Sequence, residues 1–155
     1  MRFVIYGLIG WCAEVVWTAL YEATTGARPD TETNELVPLS RRERARLAGR
    51  TYLWMFPIYG LAALLFEPVH DALRARPWVA RGLVYTAGIF AVEYVAGWAL
   101  ARLVGRCPWD YRYARWSVHG YIRLDYAPVW FAFGLFLERV HDVVSAVADP
   151  LRSAL

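Results

Sequence analysis

Two kinds of acidic position in this chain could carry chemistry. Glu14 and Glu93 each stand alone in a long apolar stretch, while Glu67-Pro68-Val69-His70-Asp71 and Glu138-Arg139-Val140-His141-Asp142 spell the same Glu-x-Val-His-Asp string twice. A lone Glu alternating with Glu-x-x-His is the ligand order of four-helix di-iron carboxylate proteins. Depth argues against that use here. Measured from the turn at Pro77, Glu67 and His70 lie about 10–15 Å up a helix and Glu93 roughly 23 Å up the next, at 1.5 Å per residue. Metal–ligand bonds near 2 Å cannot span a gap of about 10 Å, and Pro68 shifts the register by only a few ångströms. No metal is expected at Glu67, His70, Glu138 and His141. They are expected to form an interfacial polar cluster that pairs with Arg74, Arg76 and Arg139. No Ser/His or Cys/His spacing suggests a nucleophile, so no catalytic residue and no cofactor are expected.

The elements that must position these residues are transmembrane helices. Four segments, 3–22, 52–73, 81–104 and 124–148, are long enough to cross about 30 Å of hydrocarbon. Each holds at least one acidic residue, and Tyr21, Tyr52, Trp54, Trp78, Trp109, Trp116 and Tyr121 cluster near the ends as an interfacial aromatic belt. The fold class expected is all-α, a multi-pass membrane protein of one domain over 1–155. In the first connection, Ser40-Arg41-Arg42-Glu43 reads as a capping box opening a short basic helix along the headgroups. The 74–78 stretch reads as a tight turn.

Composition agrees. Hydrophobic residues make up 58% of the 155, too many for an ordinary soluble domain of this size. All 17 basic residues are Arg, but they fall between apolar segments, where membrane topology accounts for them, so no nucleic-acid partner is expected. Arginines concentrate in connections 23–51 and 105–123, which places both in the cytoplasm and the termini outside. Cys12 and Cys107 have neither metal-ligand spacing nor an expected disulfide. Trp11, Glu14 and Trp17 occupy the place where a signal-peptide cleavage site would need small residues, so the first segment reads as a retained helix.

The halves are related. Tyr6 and Glu14 map onto Tyr85 and Glu93 at an offset of 79, as do Gly26 and Pro29 onto Gly105 and Pro108. Pro57 and Tyr59 map onto Pro128 and Trp130 at an offset of 71, as do the two Glu-x-Val-His-Asp strings. The expected architecture is two parallel two-helix repeats, about 3–76 and 79–148, around a pseudo-two-fold axis along the membrane normal.

The run Ile5-Tyr6-Gly7-Leu8-Ile9-Gly10-Trp11 with Glu14, then Pro57-Ile58-Tyr59-Gly60, Glu93, Cys107-Pro108-Trp109-Asp110-Tyr111 and Gly120-Tyr121-Ile122 with Tyr126 and Trp130 resembles the CmpB-type ABC-transporter permease family. Within it the chain resembles the vertebrate transmembrane protein 229. The resemblance spans about 5–138 and implies a small polytopic membrane protein, with Cys107, Pro108, Trp109, Asp110 and Tyr111 as its most specific block. The chain departs from the family pattern at 112–119, where an Asn-rich stretch is common, and its His-Asp pairs are not family hallmarks.

Glu14 and Glu93 are expected to face each other across the interior. A midspan charge costs at least about 2.5–3.5 kcal/mol, which drives both away from lipid. There they would share a proton or a bound cation, with Tyr59 and Trp130 as O–H and N–H donors and Asp110 as a further ligand from its loop. The expected function is a permease-like or transport-associated subunit, with membrane lipid around it and a homodimeric or partner subunit, since four helices enclose little volume. The alternatives are a membrane-embedded enzyme acting on lipid through the same carboxylates, or a non-catalytic assembly subunit.

Overall fold

The computed structural model describes residues 1–30 and 32–153, with side chains to position 146. The protein is predominantly helical. Helix α1 (Arg2–Thr25) leads into a hairpin of β1 (Ala27–Asp30) and β2 (Glu35–Pro38), paired antiparallel from Ala27 opposite Pro38 to Asp30 opposite Glu35. Helix α2 (Arg41–Ala45) opens on the capping box read from the sequence: Ser40 Oγ accepts the Glu43 N–H, and the Glu43 carboxylate accepts the Ser40 N–H. Short strands β3 (Ser117–Val118) and β4 (Ile122–Arg123) form a second hairpin. Neither hairpin was read from the sequence.

The segment expected to span 52–73 is two pieces, α3 (Met55–Gly60) and α4 (Ala62–Leu73), joined at Leu61. The ladder tightens there without parting, because the Leu61 N–H reaches both Pro57 O and Ile58 O, at 3.1 and 3.2 Å. Pro68 lies inside α4 without ending it. The third helix, α5 (Trp78–Val104), runs unbroken. A 3₁₀ turn at Leu124–Tyr126 starts the last helix, α6 (Ala127–Ser153). The end of the fourth expected span, position 148, falls where side chains are outside the described residues. Among the described residues, α1 and α5 are the two helices long and apolar enough to cross a membrane.

Helix α1 packs on α3 and α4, and α5 packs on α6. Glycine allows the close approach in each pair, from opposite sides. In the first, a Cβ on Gly60 would lie 2.7 Å from the Phe3 ring; in the second, a Cβ on Gly82 would lie 2.4 Å from the Phe131 ring. Positions 3 and 82 differ by 79 and positions 60 and 131 by 71. The same helix contact is thus filled by Phe on Gly in one pair and Gly on Phe in the other.

Candidate functional site

At one level of the bundle the two Glu-x-Val-His-Asp strings come together with residues from α1 and α5. Arg2 Nη1 donates to Glu67 Oε2 at 2.7 Å, and Arg81 Nε donates to Glu138 Oε1 at 2.7 Å. Tyr6 Oη shares a hydrogen bond with His141 Nδ1 at 3.2 Å, and Tyr85 Oη shares one with His70 Nδ1 at 3.1 Å. His141 lies 3.5 Å from Glu67, and His70 lies 3.6 Å from Glu138. Each of these three contacts thus occurs once on either side.

The hydrogen bonds fix one tautomer. Tyr85 has a single hydroxyl proton and gives it to Glu138 Oε1 at 2.9 Å, so the His70 bond must run from Nδ1–H to Tyr85 Oη. That leaves His70 Nε2 as acceptor, and Arg74 Nη2 donates to it at 3.2 Å. Tyr6, Tyr85, Glu67, His70 and His141 are all buried. The cluster is thus buried between the helices, and among the described residues its arginine partners are Arg2, Arg74 and Arg81 rather than Arg76 and Arg139. The main partners are Arg2 and Arg81, which reach Glu67 and Glu138 across the interface between helices; Arg74 serves His70, with Asp142 as well at 3.5 Å. His70, Asp71 and His141 offer ligand atoms within 4.8 Å of one another. Arg2, Arg74 and Arg81 set fixed positive charge beside any metal ion placed there.

Eight residues along α1 and α5, about 12 Å at the helical rise, lie Glu14 and Glu93. The structure puts these carboxylates outside the histidine cluster. Both line a cavity of about 130 Å³, together with Tyr59, Asp110 and Trp130. Thr51 Oγ1 donates to Glu14 Oε2 at 2.9 Å, and Tyr111 Oη donates to Glu93 Oε1 at 3.0 Å. Trp130 faces the Glu93 carboxylate, yet its Nε1 and Glu93 Oε2 are both buried without a hydrogen-bond partner. Tyr111 thus joins Trp130 beside the Glu93 carboxylate. Thr51 was not singled out from the sequence, since a hydroxyl just before a helix gives no periodic signal.

The loop carrying Tyr111 is held from several sides. Trp109 Nε1 donates to Tyr121 O at 3.0 Å, and the Tyr111 N–H donates to Gly120 O at 2.8 Å. Asp110 Oδ1 accepts the Arg112 N–H at 3.0 Å while Oδ2 accepts Arg112 Nε–H at 2.7 Å, which raises the guanidinium's pKa. Gly120 has φ 79°, and a Cβ there would sit 2.7 Å from Asp110 Oδ1. Cys107 packs with Leu100 and Trp109, and burial pushes its thiol up to about 12. Burial first, then the neighbouring Glu93 charge, holds the Tyr111 hydroxyl well above its ordinary value.

Glu22, also on the cavity wall, is neutralised by Arg50 at 2.6 Å and Arg28 at 3.0 Å. Asp110 has Arg112. Among the described residues, neither Glu14 nor Glu93 has an arginine within ion-pair distance.

No solved structure matches the chain. A family model described as "Putative ABC-transporter type IV" matches residues 1–153.

Proposed function

We propose a function from one premise: the chain belongs to the CmpB-type ABC-transporter type IV family. It is a transport-associated membrane protein whose carboxylates Glu14 and Glu93 take up protons or a cation from inside the bundle. The observation that carries this reading is the shared cavity, which gathers Glu14, Tyr59, Glu93, Asp110 and Trp130, with no arginine within ion-pair distance of Glu14 or Glu93 among the described residues. Carboxylates withdrawn from water bind a proton or a counter-ion in place of solvation.

Four spans in two parallel repeats, with 23–51 and 105–123 in the cytoplasm, are part of the same proposal. The paired contacts of Arg2 with Glu67 and Arg81 with Glu138 support it, as do the crossed tyrosine–histidine bonds. The small enclosed volume calls for a second copy or a partner subunit around the same axis.

The test is proton release from the purified full chain in weakly buffered detergent solution on addition of sodium, potassium or tetramethylammonium chloride. Wild type should release protons as a cation displaces them. Glu14→Gln and Glu93→Gln should each diminish the release, and the double variant should abolish it. Release at the wild-type level from a folded double variant would show the pair to be architectural.

A further inference from the structure

The acidic cavity does not end at Glu93. A second cavity of about 410 Å³ shares Met55, Tyr59, Glu93, Trp109 and Trp130 with the first, so the two meet across a common wall. Away from that wall its lining is apolar, with Leu65, Phe66 and Val69 of α4 facing Val84, Ile89 and Val92 of α5. Leu65, Val69 and Val84 are also exposed on the outer surface, so this cavity opens sideways between α4 and α5.

We propose that the two cavities together bind a cationic amphiphile, an alkyl ammonium with its head between Glu14 and Glu93 and its chain in the apolar cavity. The inference rests on the cation reading above and names the class of cation. Three observations select it over a metal ion. The first is the wall of the acidic cavity, which is aromatic: Trp17, Tyr59, Trp109, Tyr111, Tyr126 and Trp130 all contribute. Tyr126 meets Trp17, Tyr111 and Trp130 edge-on at 5.8–6.0 Å. Aromatic faces attract weakly hydrated organic cations and cannot replace the oxygen ligands that a hard metal ion requires. One face of Tyr126 is already taken by the Arg123 guanidinium, 4.2 Å from the ring centre, which leaves the other rings for a ligand.

The second observation is charge. Glu22 and Asp110 are matched by arginines, whereas among the described residues Glu14 and Glu93 have none within ion-pair distance, and the buried Glu93 Oε2 faces Trp130 without a hydrogen bond of ordinary geometry. A donor or cation at that oxygen relieves a group that is costly to leave unpaired. The third is the junction itself. Among the described residues, Glu93, Trp130, Tyr59, Trp109 and Met55 stand where the cavities meet, so a ligand with an anionic group between head and tail would set it against a carboxylate. The volume of the apolar part falls within the range of small-ligand pockets.

The experiment is equilibrium binding of radiolabelled dodecyltrimethylammonium to the full chain in phosphatidylcholine nanodiscs, corrected with empty nanodiscs. A saturable site is expected, displaced by tetramethylammonium only at tenfold or higher concentration and not by dodecyl sulfate. Glu93→Gln should weaken binding tenfold or more. Gly88 lines the apolar cavity, and a Cβ there would meet nothing within 4 Å, so Gly88→Leu should fold while filling the space. It should weaken dodecyltrimethylammonium binding and leave tetramethylammonium binding unchanged. Absence of saturable binding, equal displacement by dodecyl sulfate, or wild-type affinity in both variants overturns the proposal. If any of these occurs while sodium still releases protons through Glu14 and Glu93, the alkyl ammonium is the wrong cation and the carboxylate reading stands; if proton release is also lost, both fall.

Discussion

The imidazoles of His70 and His141 lie 5.1 Å apart between ring centres, with planes inclined at 62°, and each is hydrogen-bonded by a tyrosine of the other helix pair. Tyr6 on α1 reaches His141 on α6, while Tyr85 on α5 reaches His70 on α4. The two helix pairs are therefore tied by crossed bonds at their centre.

Removing either hydroxyl should break one of those ties. Tyr6→Phe and Tyr85→Phe each strand a buried histidine nitrogen, at a cost of about 1–3 kcal/mol. Because both bonds converge on the same ring pair, the double variant should depart from the sum of the singles. Chemical unfolding in detergent reads all three; singles that differ from wild type by less than experimental error would mean that the cluster does not hold the halves together.

Gly10→Ala should be among the most damaging small changes in α1. The new Cβ would fall 2.0 Å from Tyr59 Cγ and 2.4 Å from Tyr59 Cβ, atoms next to the backbone that cannot swing aside. Overpacking of this kind costs about 1–3 kcal/mol, and it also displaces Tyr59 from the acidic cavity. A lowered unfolding midpoint is the expected result. Unchanged stability would show that α1 and α3 sit farther apart.

Cys107 should resist alkylation in the folded protein. With the thiol pushed up to about 12, only about one molecule in ten thousand is thiolate at pH 8, and the thiolate is the reacting form. In a Cys12→Ala background, the iodoacetamide rate should rise about tenfold per pH unit through pH 10, without the plateau an ordinary thiol shows near 9. Fast labelling at pH 8 before denaturation would contradict the burial.

Gly120→Ala should loosen the loop that presents Tyr111. At φ 79° a side chain is strained by about 1–3 kcal/mol, and its Cβ would press on Asp110 Oδ1. Limited proteolysis in membranes should cut between 107 and 116 faster in the variant than in wild type. Equal cutting rates would mean that the Asp110–Gly120 contact does not order the loop.

What could be read ahead of the structure was whatever leaves a periodic or short-range mark. The long apolar runs of α1 and α5 and the Ser40–Glu43 box are of that kind. The break at Leu61 and the two small hairpins are not, since they depend on what packs against them. Arg2 and Arg81 were counted as topology charges, although 81 − 2 is the same 79 that relates Glu14 to Glu93. Following that offset to the ends of the helices would have found both glutamate partners.

The opposed filling of the α1–α3 and α5–α6 contacts constrains how this chain can change. Moving from Phe3 on Gly60 to the reverse arrangement by single substitutions must pass through two facing phenylalanines or two facing glycines. One intermediate forces the helices apart and the other leaves a void the size of a ring. Positions 3 and 60 are thus expected to vary together across relatives, as are 82 and 131, so that bulk changes hands within a helix pair while its total is conserved.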